Sequence, residues 1–174
     1  MEQKTQIIEG RVVSIQRNTF FVKSGKEEYA AHLTGKLRES EEIPVVGDYV
    51  NVCLDGYGSA SIIKLQPRKS LFVRPDRSGH VDGYVKTMKE QPVLANFDYM
   101  FIITSLNFNF NLNRIARYAA ITTSGGGTPV VVLTKADLVN DADSYIEKVK
   151  TLNRKMEIYA VSSFTGEELE QLRK

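Results

Sequence analysis

Thr128-Pro-Val-Val-Val-Leu-Thr-Lys-Ala-Asp137 decides the fold. A short apolar run rich in β-branched residues reads as a strand covered on both faces, and this one ends in a polar cluster. Upstream, Asn96-Phe-Asp-Tyr-Met-Phe-Ile-Ile-Thr-Ser-Leu106 holds a second such run. Between the two, Leu112, Ile115, Ala116 and Ala119 recur at helical spacing, with Asn109 or Asn111 as cap and Gly125-Gly-Gly as stop. Downstream, Tyr145, Val149, Leu152 and Met156 predict another amphipathic helix, capped from the Asn140–Asp143 cluster. Glu157-Ile-Tyr-Ala-Val-Ser162 comes next as a third strand, and Glu167–Lys174 begins a third helix. Strand and helix alternating three times predict right-handed crossovers and a parallel, three-layer α/β sheet over residues 93–174.

Residues 1–66 are written in another period. Ile7–Gln16, Thr19–Val22, Tyr29–Leu33, Val45–Leu54 and Ala60–Leu65 read as five short strands, with turn residues such as Arg17-Asn18 and Ser24-Gly25-Lys26 between them. Phe20, Phe21, Tyr29 and Tyr49 are expected in the core, and a single short helix near Thr34–Glu39 is the exception to the pattern. A five-stranded OB-fold barrel is the economical reading, with an SH3-like barrel as the rival that periodicity does not separate. Residues 67–92 read as a linker, because Pro67, Pro75 and Pro92 lie there with Gly79 and Gly83 among polar residues.

Composition limits what such a chain does. Among 174 residues, 23 Lys+Arg face 21 Asp+Glu, a formal net charge of +2. The charge is spread evenly: 11 basic and 9 acidic residues in 1–75, 5 and 4 in 76–130, 7 and 8 in 131–174. Domains that bind nucleic acid non-specifically are usually more basic, so any RNA contact rests on local patches. The candidates are Arg17 and Asn18 in the first turn, Lys36 and Arg38, and the run Arg68, Lys69, Arg74 and Arg77. No apolar run reaches the roughly 20 residues needed to cross a bilayer, so no membrane anchor is expected. Cys53 is the only cysteine, which excludes an internal disulfide and suggests a cytoplasmic setting. With His32 and His80 as the only other soft ligands, no zinc site is expected.

The chemistry lies at the carboxyl ends of two consecutive strands, where parallel α/β sheets bind ligands. The first runs into Thr134-Lys135-Ala136-Asp137 and the second into Ser162-Ser163-Phe164-Thr165-Gly166. An aspartate beyond a buried strand accepts both the N1–H and the exocyclic N2–H of guanine. Adenine offers no such donor pair and leaves the carboxylate unpaired. The apolar stem of Lys135 suits the purine face, and backbone N–H groups at Ser163 and Phe164 suit the guanine carbonyl. Thr165-Gly166 is expected to start the last helix.

These two motifs resemble the base-recognition loops of translation-factor-type GTPases, usually Asn-Lys-x-Asp and Ser-Ala-x. In ordinary members a phosphate loop, Gly-x-x-x-x-Gly-Lys-Ser/Thr, precedes them, and nothing in residues 1–133 fits it. A small barrel followed directly by the base motifs is instead similar to the circularly permuted ribosome small-subunit-dependent GTPase A family (RsgA/YjeQ). Val46-Gly-Asp48, Pro67-Arg-Lys-Ser-Leu-Phe-Val-Arg-Pro75 and Ala95-Asn-Phe-Asp98 also match. Thr134 stands where Asn is commoner, and Ser163 where Ala is.

The resemblance implies an OB-fold barrel followed by a partial, circularly permuted three-layer sheet of P-loop GTPase type. It implies GTP or GDP as ligand, with Mg2+ needed only in a complete protein, and the small ribosomal subunit and its RNA as partners. In the family the phosphate loop, the switches and a zinc-binding domain come after the second base motif, so the chain reads as an amino-terminal portion, inactive as a GTPase alone. Strand 99–104 would then be an apolar edge open to self-association. The alternative is a non-catalytic RNA-binding module whose α/β half serves as a protein-interaction platform.

Overall fold

A computed structural model describes residues 5–40, 42–57, 59–75, 90–166 and 168–172. The chain divides into two units, Met1–Phe97 and Asp98–Lys174.

In the first unit, β1 (Gln6–Gln16), β2 (Thr19–Ser24), β3 (Glu27–Leu33), β4 (Tyr49–Leu54) and β5 (Ala60–Leu65) close a barrel in the order β1-β2-β3-β5-β4. The short helix α1 (Gly35–Arg38) comes after β3. Closure depends on β1, which pairs antiparallel with both β2 and β4, and on a parallel pairing of β3 with β5. An irregularity between Val12 and Ser14 lets so long a strand bend around the barrel. At Gly10 a Cβ would lie 2.5 Å from Val22 Cγ1, so only glycine permits that approach. The period of two read from the sequence gives the core: Val50 and Val52 point inward beside Val12, Phe20, Val22, Ala31, Ala60 and Ile62. This five-stranded topology is the OB-fold, not the SH3-like alternative.

Three expectations need correction. Tyr49 is 46% exposed, with the Arg11 guanidinium over its ring, and is not core. Residues 45–48 are a turn and not the start of β4, because the Val45 N–H donates to the Asp48 carboxylate (2.8 Å). The segment read as a linker contains β6 (Leu71–Pro75) and the start of β7 (Glu90–Ala95), which pair antiparallel within the first unit. Side-chain bonds explain why polar composition misleads here. The Ser70 hydroxyl donates to the Phe97 carbonyl (2.6 Å), and the Lys69 N–H donates to Asn96 Oδ1 (2.8 Å). Residues 76–89, with Arg77, Gly79 and Gly83, lie outside the described residues.

In the second unit β8 (Tyr99–Ser105), β9 (Thr128–Thr134) and β10 (Glu157–Val161) form a parallel sheet in the order β10-β9-β8. The crossover helices are α2 (Leu112–Ser124), capped by the Asn111 side chain accepting from the Arg114 N–H, and α3 (Ala142–Lys150), capped by Asp141 accepting from the Ser144 N–H. Their core joins Ile102, Val131 and Leu133 of the sheet to Ile115, Ala119 and Val149 of the helices. The second helix stops short of Leu152 and Met156. There the Asn153 side chain accepts from the Lys155 N–H and its carbonyl from the Met156 N–H, which offers the backbone a turn in place of the helix. A last helical turn, α4, spans Leu169–Leu172. Among the described residues no helix is long and apolar enough to cross a membrane.

Candidate functional site

Val161 of β10 lies opposite Thr134 of β9, so both strands release their chains at the same level of the sheet. Lys135 then takes a left-handed conformation (φ 61°, ψ 42°). This turns the chain sharply into a single 3-10 turn, Ala136–Leu138, closed by the Leu138 N–H donating to the Lys135 carbonyl (3.1 Å). Ala136 is buried, while Lys135 and Asp137 stand exposed.

Ser162 leaves β10 fully buried, at 0% exposure. Its hydroxyl donates to Asp137 Oδ1 (2.5 Å) and accepts from the N–H groups of Phe164 (3.2 Å) and Thr165 (3.1 Å). The Gly166 N–H donates to the Ser162 carbonyl (3.0 Å), with Gly166 at φ +80°. One hydroxyl thus ties the two loops together and holds one oxygen of the Asp137 carboxylate. Thr165 and Gly166 belong to this turn, and the helix they were expected to start begins later.

The sequence-derived residues meet here unequally. Asp137, Ser162 and the amides at 163–165 converge. The Phe164 N–H is already engaged by Ser162, whereas the Ser163 N–H has no partner among the described residues, and the Phe164 ring is 87% exposed. The Thr134 hydroxyl leans toward β8, donating weakly to the Thr104 carbonyl (3.5 Å).

On the barrel, Arg17, Asn18 and Arg38 come together around a cleft of about 410 Å3, whose other lining includes Ile15 and Pro44. Lys36, Lys69 and Arg74 are placed elsewhere on the first unit. Arg68 is not an open surface charge. Its Nε donates to Asp48 Oδ1 (2.8 Å), and its Nη2 donates to Oδ2 (2.7 Å) and to the Ile43 carbonyl (3.1 Å). The hydrogen bonds it donates to the Asp48 carboxylate raise the pKa of this guanidinium above its ordinary value. Val46-Gly47-Asp48 and Arg68 therefore serve the barrel's architecture. Sequence reasoning missed the pairing because the partners lie 20 positions apart. It missed the cleft because the lining comes from three separate stretches.

A closed five-stranded barrel followed along the chain by a three-stranded parallel sheet is the architecture of a circularly permuted GTPase fold. The RsgA GTPase family model matches residues 65–174, and the chain belongs to that family. It is 36% identical over 166 residues to the small ribosomal subunit biogenesis GTPase RsgA 2 of Listeria monocytogenes serotype 4b, and 34% identical over 144 residues to RsgA of Methanosarcina acetivorans. The former match covers 94% of this chain and 44% of the relative, the latter 82% and 37%, so the chain spans less than half of these relatives' length. The fold is similar to YjeQ from Thermotoga maritima (TM-score 0.69, 24% identity, 97% of this chain and 56% of that one). It is also similar to YloQ, a circularly permuted GTPase (TM-score 0.65, 19% identity, 97% and 55%).

Proposed function

We propose that this chain supplies the RNA-binding barrel and the guanine-recognition half of a GTP-binding, GTP-hydrolysing factor that acts on the small ribosomal subunit in the cytoplasm. Asp137 accepts the N1–H and N2–H of guanine, the Lys135 stem covers the purine, and the Ser163 N–H donates to the base carbonyl. Phe164 contributes its backbone to the turn, while Thr134 and Ala136 shape the loop. The observation that carries this reading is the Ser162–Asp137 hydrogen bond, which aims the carboxylate from the neighbouring strand end.

No cluster of three or more acidic, histidine or cysteine side chains that could hold a metal exists among the described residues. In nucleotide sites Mg2+ is held by one or two side chains together with the phosphates and waters, so any such ion would come with the phosphate-binding part of a complete protein. Phosphate affinity in such GTPases comes largely from a glycine-rich backbone cradle and its lysine, and these 174 residues contain no Gly-x-x-x-x-Gly-Lys-Ser/Thr. The chain alone is expected to bind guanine nucleotides weakly, in the high micromolar range or above by affinity arithmetic, and to hydrolyse none.

Titration of GDP and XDP into the 15N-labelled chain tests the reading. Asp137→Ala abolishes the GDP-induced shifts around residues 135–137 and 162–164, and Asp137→Asn transfers the preference to XDP, because an amide complements the second carbonyl of xanthine. Unchanged selectivity in Asp137→Asn removes Asp137 from the site.

A second reading is favoured by one feature. Tyr99, Phe101 and Ile103 on β8, the sheet's edge among the described residues, are 59%, 52% and 68% exposed. An apolar edge of this kind suits strand pairing between copies of the chain, or an α/β platform for a protein partner beside an RNA-binding barrel. RNA binding indifferent to GTP and GDP, with no shifts at Asp137, would select this second reading.

A further inference from the structure

The cleft on the barrel joins aliphatic walls to two cationic groups. Ile15 in β1 and Leu33 at the end of β3 are half-buried against the barrel core, and Ile43 before β4 is 50% exposed. Phe20 and Pro44 are buried behind them. Arg17 and Asn18 of the β1–β2 turn and Arg38 at the end of α1 complete the lining. Among the described residues no carboxylate lines the cleft, and neither guanidinium has an acidic partner within salt-bridge distance. Its volume of about 410 Å3 lies within the range of pockets that enclose small organic groups, roughly 300–1,000 Å3. Arg17 also adopts φ +55° in the two-residue turn between Gln16 and Thr19, where a positive φ favours glycine. The turn thus keeps a cation where its backbone favours no side chain.

We infer that this cleft takes the C-terminal residue of a polypeptide, its apolar side chain against Ile15, Leu33 and Ile43 and its terminal carboxylate on Arg17 and Arg38. Three observations choose this occupant. The lining offers no exposed aromatic face, since its one ring, Phe20, belongs to the barrel core. Unpaired bases are held by stacking on exposed rings, whereas aliphatic walls suit an apolar side chain. Charge is the second. Glu39 and Glu42 are exposed next to Arg38 and Ile43 in the chain, and residues 1–75 carry 11 basic against 9 acidic side chains. A polyanion, whether RNA or an acidic peptide, would bring several like charges toward those carboxylates, but a chain terminus brings one. The third is topological. Extended peptides are held along their length by a free strand edge, and a closed barrel offers none. A terminus needs only one pocket and one anion clamp, and a guanidinium fork matches a carboxylate. The assignment shares no residue with the proposed guanine site.

The test uses the whole chain and a fluorescein-labelled hexapeptide, Gly-Ser-Gly-Ser-Gly-Leu, followed by anisotropy. The free acid is expected to bind about tenfold or more tightly than its C-terminal amide, and than the same peptide ending in serine. Arg17→Gly removes the guanidinium while relieving the left-handed backbone, so its thermal midpoint should hold. Arg17→Gly and Arg38→Ala are each expected to weaken the free acid about tenfold and to leave the amide unchanged. Ile43→Ser should weaken the free acid about tenfold through lost apolar contact. Equal binding of acid and amide overturns the carboxylate assignment. Wild-type binding that all three variants retain puts the peptide elsewhere and overturns the cleft. No binding of the free acid at about 1 mM protein, the weak end of specific affinities, overturns the inference outright. Displacement of the peptide by single-stranded octauridylate at lower concentration than by unlabelled peptide overturns it in favour of RNA. None of these outcomes touches the guanine reading, which the GDP and XDP titrations test separately.

Discussion

Replacing Arg68 with methionine should strongly destabilise the first unit. The Asp48 side chain is 0% exposed and that of Arg68 16% exposed. The substitution keeps most of the apolar stem and deletes the two hydrogen bonds to the carboxylate and the one to the Ile43 carbonyl, leaving the carboxylate with the Val45 N–H as its remaining donor among the described residues. Breaking a buried ion pair by removing one partner typically costs about 3–5 kcal/mol. The partial exposure of Arg68 lets water reach the vacated site and argues for the low end, about 3 kcal/mol. For a unit of this size that lowers the melting temperature by about 15 °C, at roughly 4–8 °C per kcal/mol. Arg68→Lys retains the charge but not the two-pronged geometry, and should cost about half as much. Replacing both partners, with Asp48→Leu added, should recover part of the loss. It stops short of wild type because the Val45 N–H then loses its acceptor, at about 1–3 kcal/mol. Scanning calorimetry is the suitable assay, because two units can melt separately and only the transition of the first should move. An Arg68→Met midpoint within about 2 °C of wild type, less than 1 kcal/mol should cost, would refute the argument that this pair is buried and paired as described.

Two smaller perturbations test other parts of the molecule. In the β4–β5 turn the N–H groups of Tyr57 and Ser59 donate to Asp55 Oδ1 and hold its carboxyl below the usual range. A lowered acid stabilises the fold above its unfolded value of about 3.9 and loses that contribution as pH falls through the folded value. The stability gap between wild type and Asp55→Asn should therefore be constant from about pH 5 to 8 and close below about pH 4 in urea denaturation, and a gap that widens in acid contradicts the assignment. On β8, Ile103→Lys should abolish concentration-dependent association seen by sedimentation velocity. A wild type that stays monomeric at the highest concentration removes the edge as a contact surface.

The sequence disclosed what repeats locally. Val50 and Val52, or Val131 and Leu133, alternate or cluster within a few residues, so barrel strands and sheet strands were both legible. Which barrel they build was not, because the parallel pairing of β3 and β5 joins His32 to Ser61 across the intervening helix and β4. Proline and charge made residues 67–92 look like loop, yet β6 and β7 are held by Ser70, Lys69 and Asn96, whose partners lie 27 residues apart. Apolar spacing alone carries helix α3 on through Met156, whereas Asn153 supplies a competing turn that periodicity does not weigh. Asp137 and Ser162 were found because each lies just beyond an apolar strand. The threefold use of the Ser162 hydroxyl was not, since it depends on where the backbone turns after the strand ends.

That hydroxyl also separates two properties that guanine-nucleotide sites usually combine. Selectivity for a base needs directional groups fixed before the ligand arrives, because a donor or acceptor that must first be ordered discriminates less. Affinity for the phosphates needs charge and a cradle of amides. The hydrogen bonds that orient Asp137 here all come from residues 137–165 of a single unit. On the proposed reading, guanine should therefore be preferred over adenine by a similar ratio whether total binding is weak or strong. On the same reading, the base-recognition geometry can be laid down early in the chain, because the hydrogen bonds that orient Asp137 lie between the ends of β9 and β10.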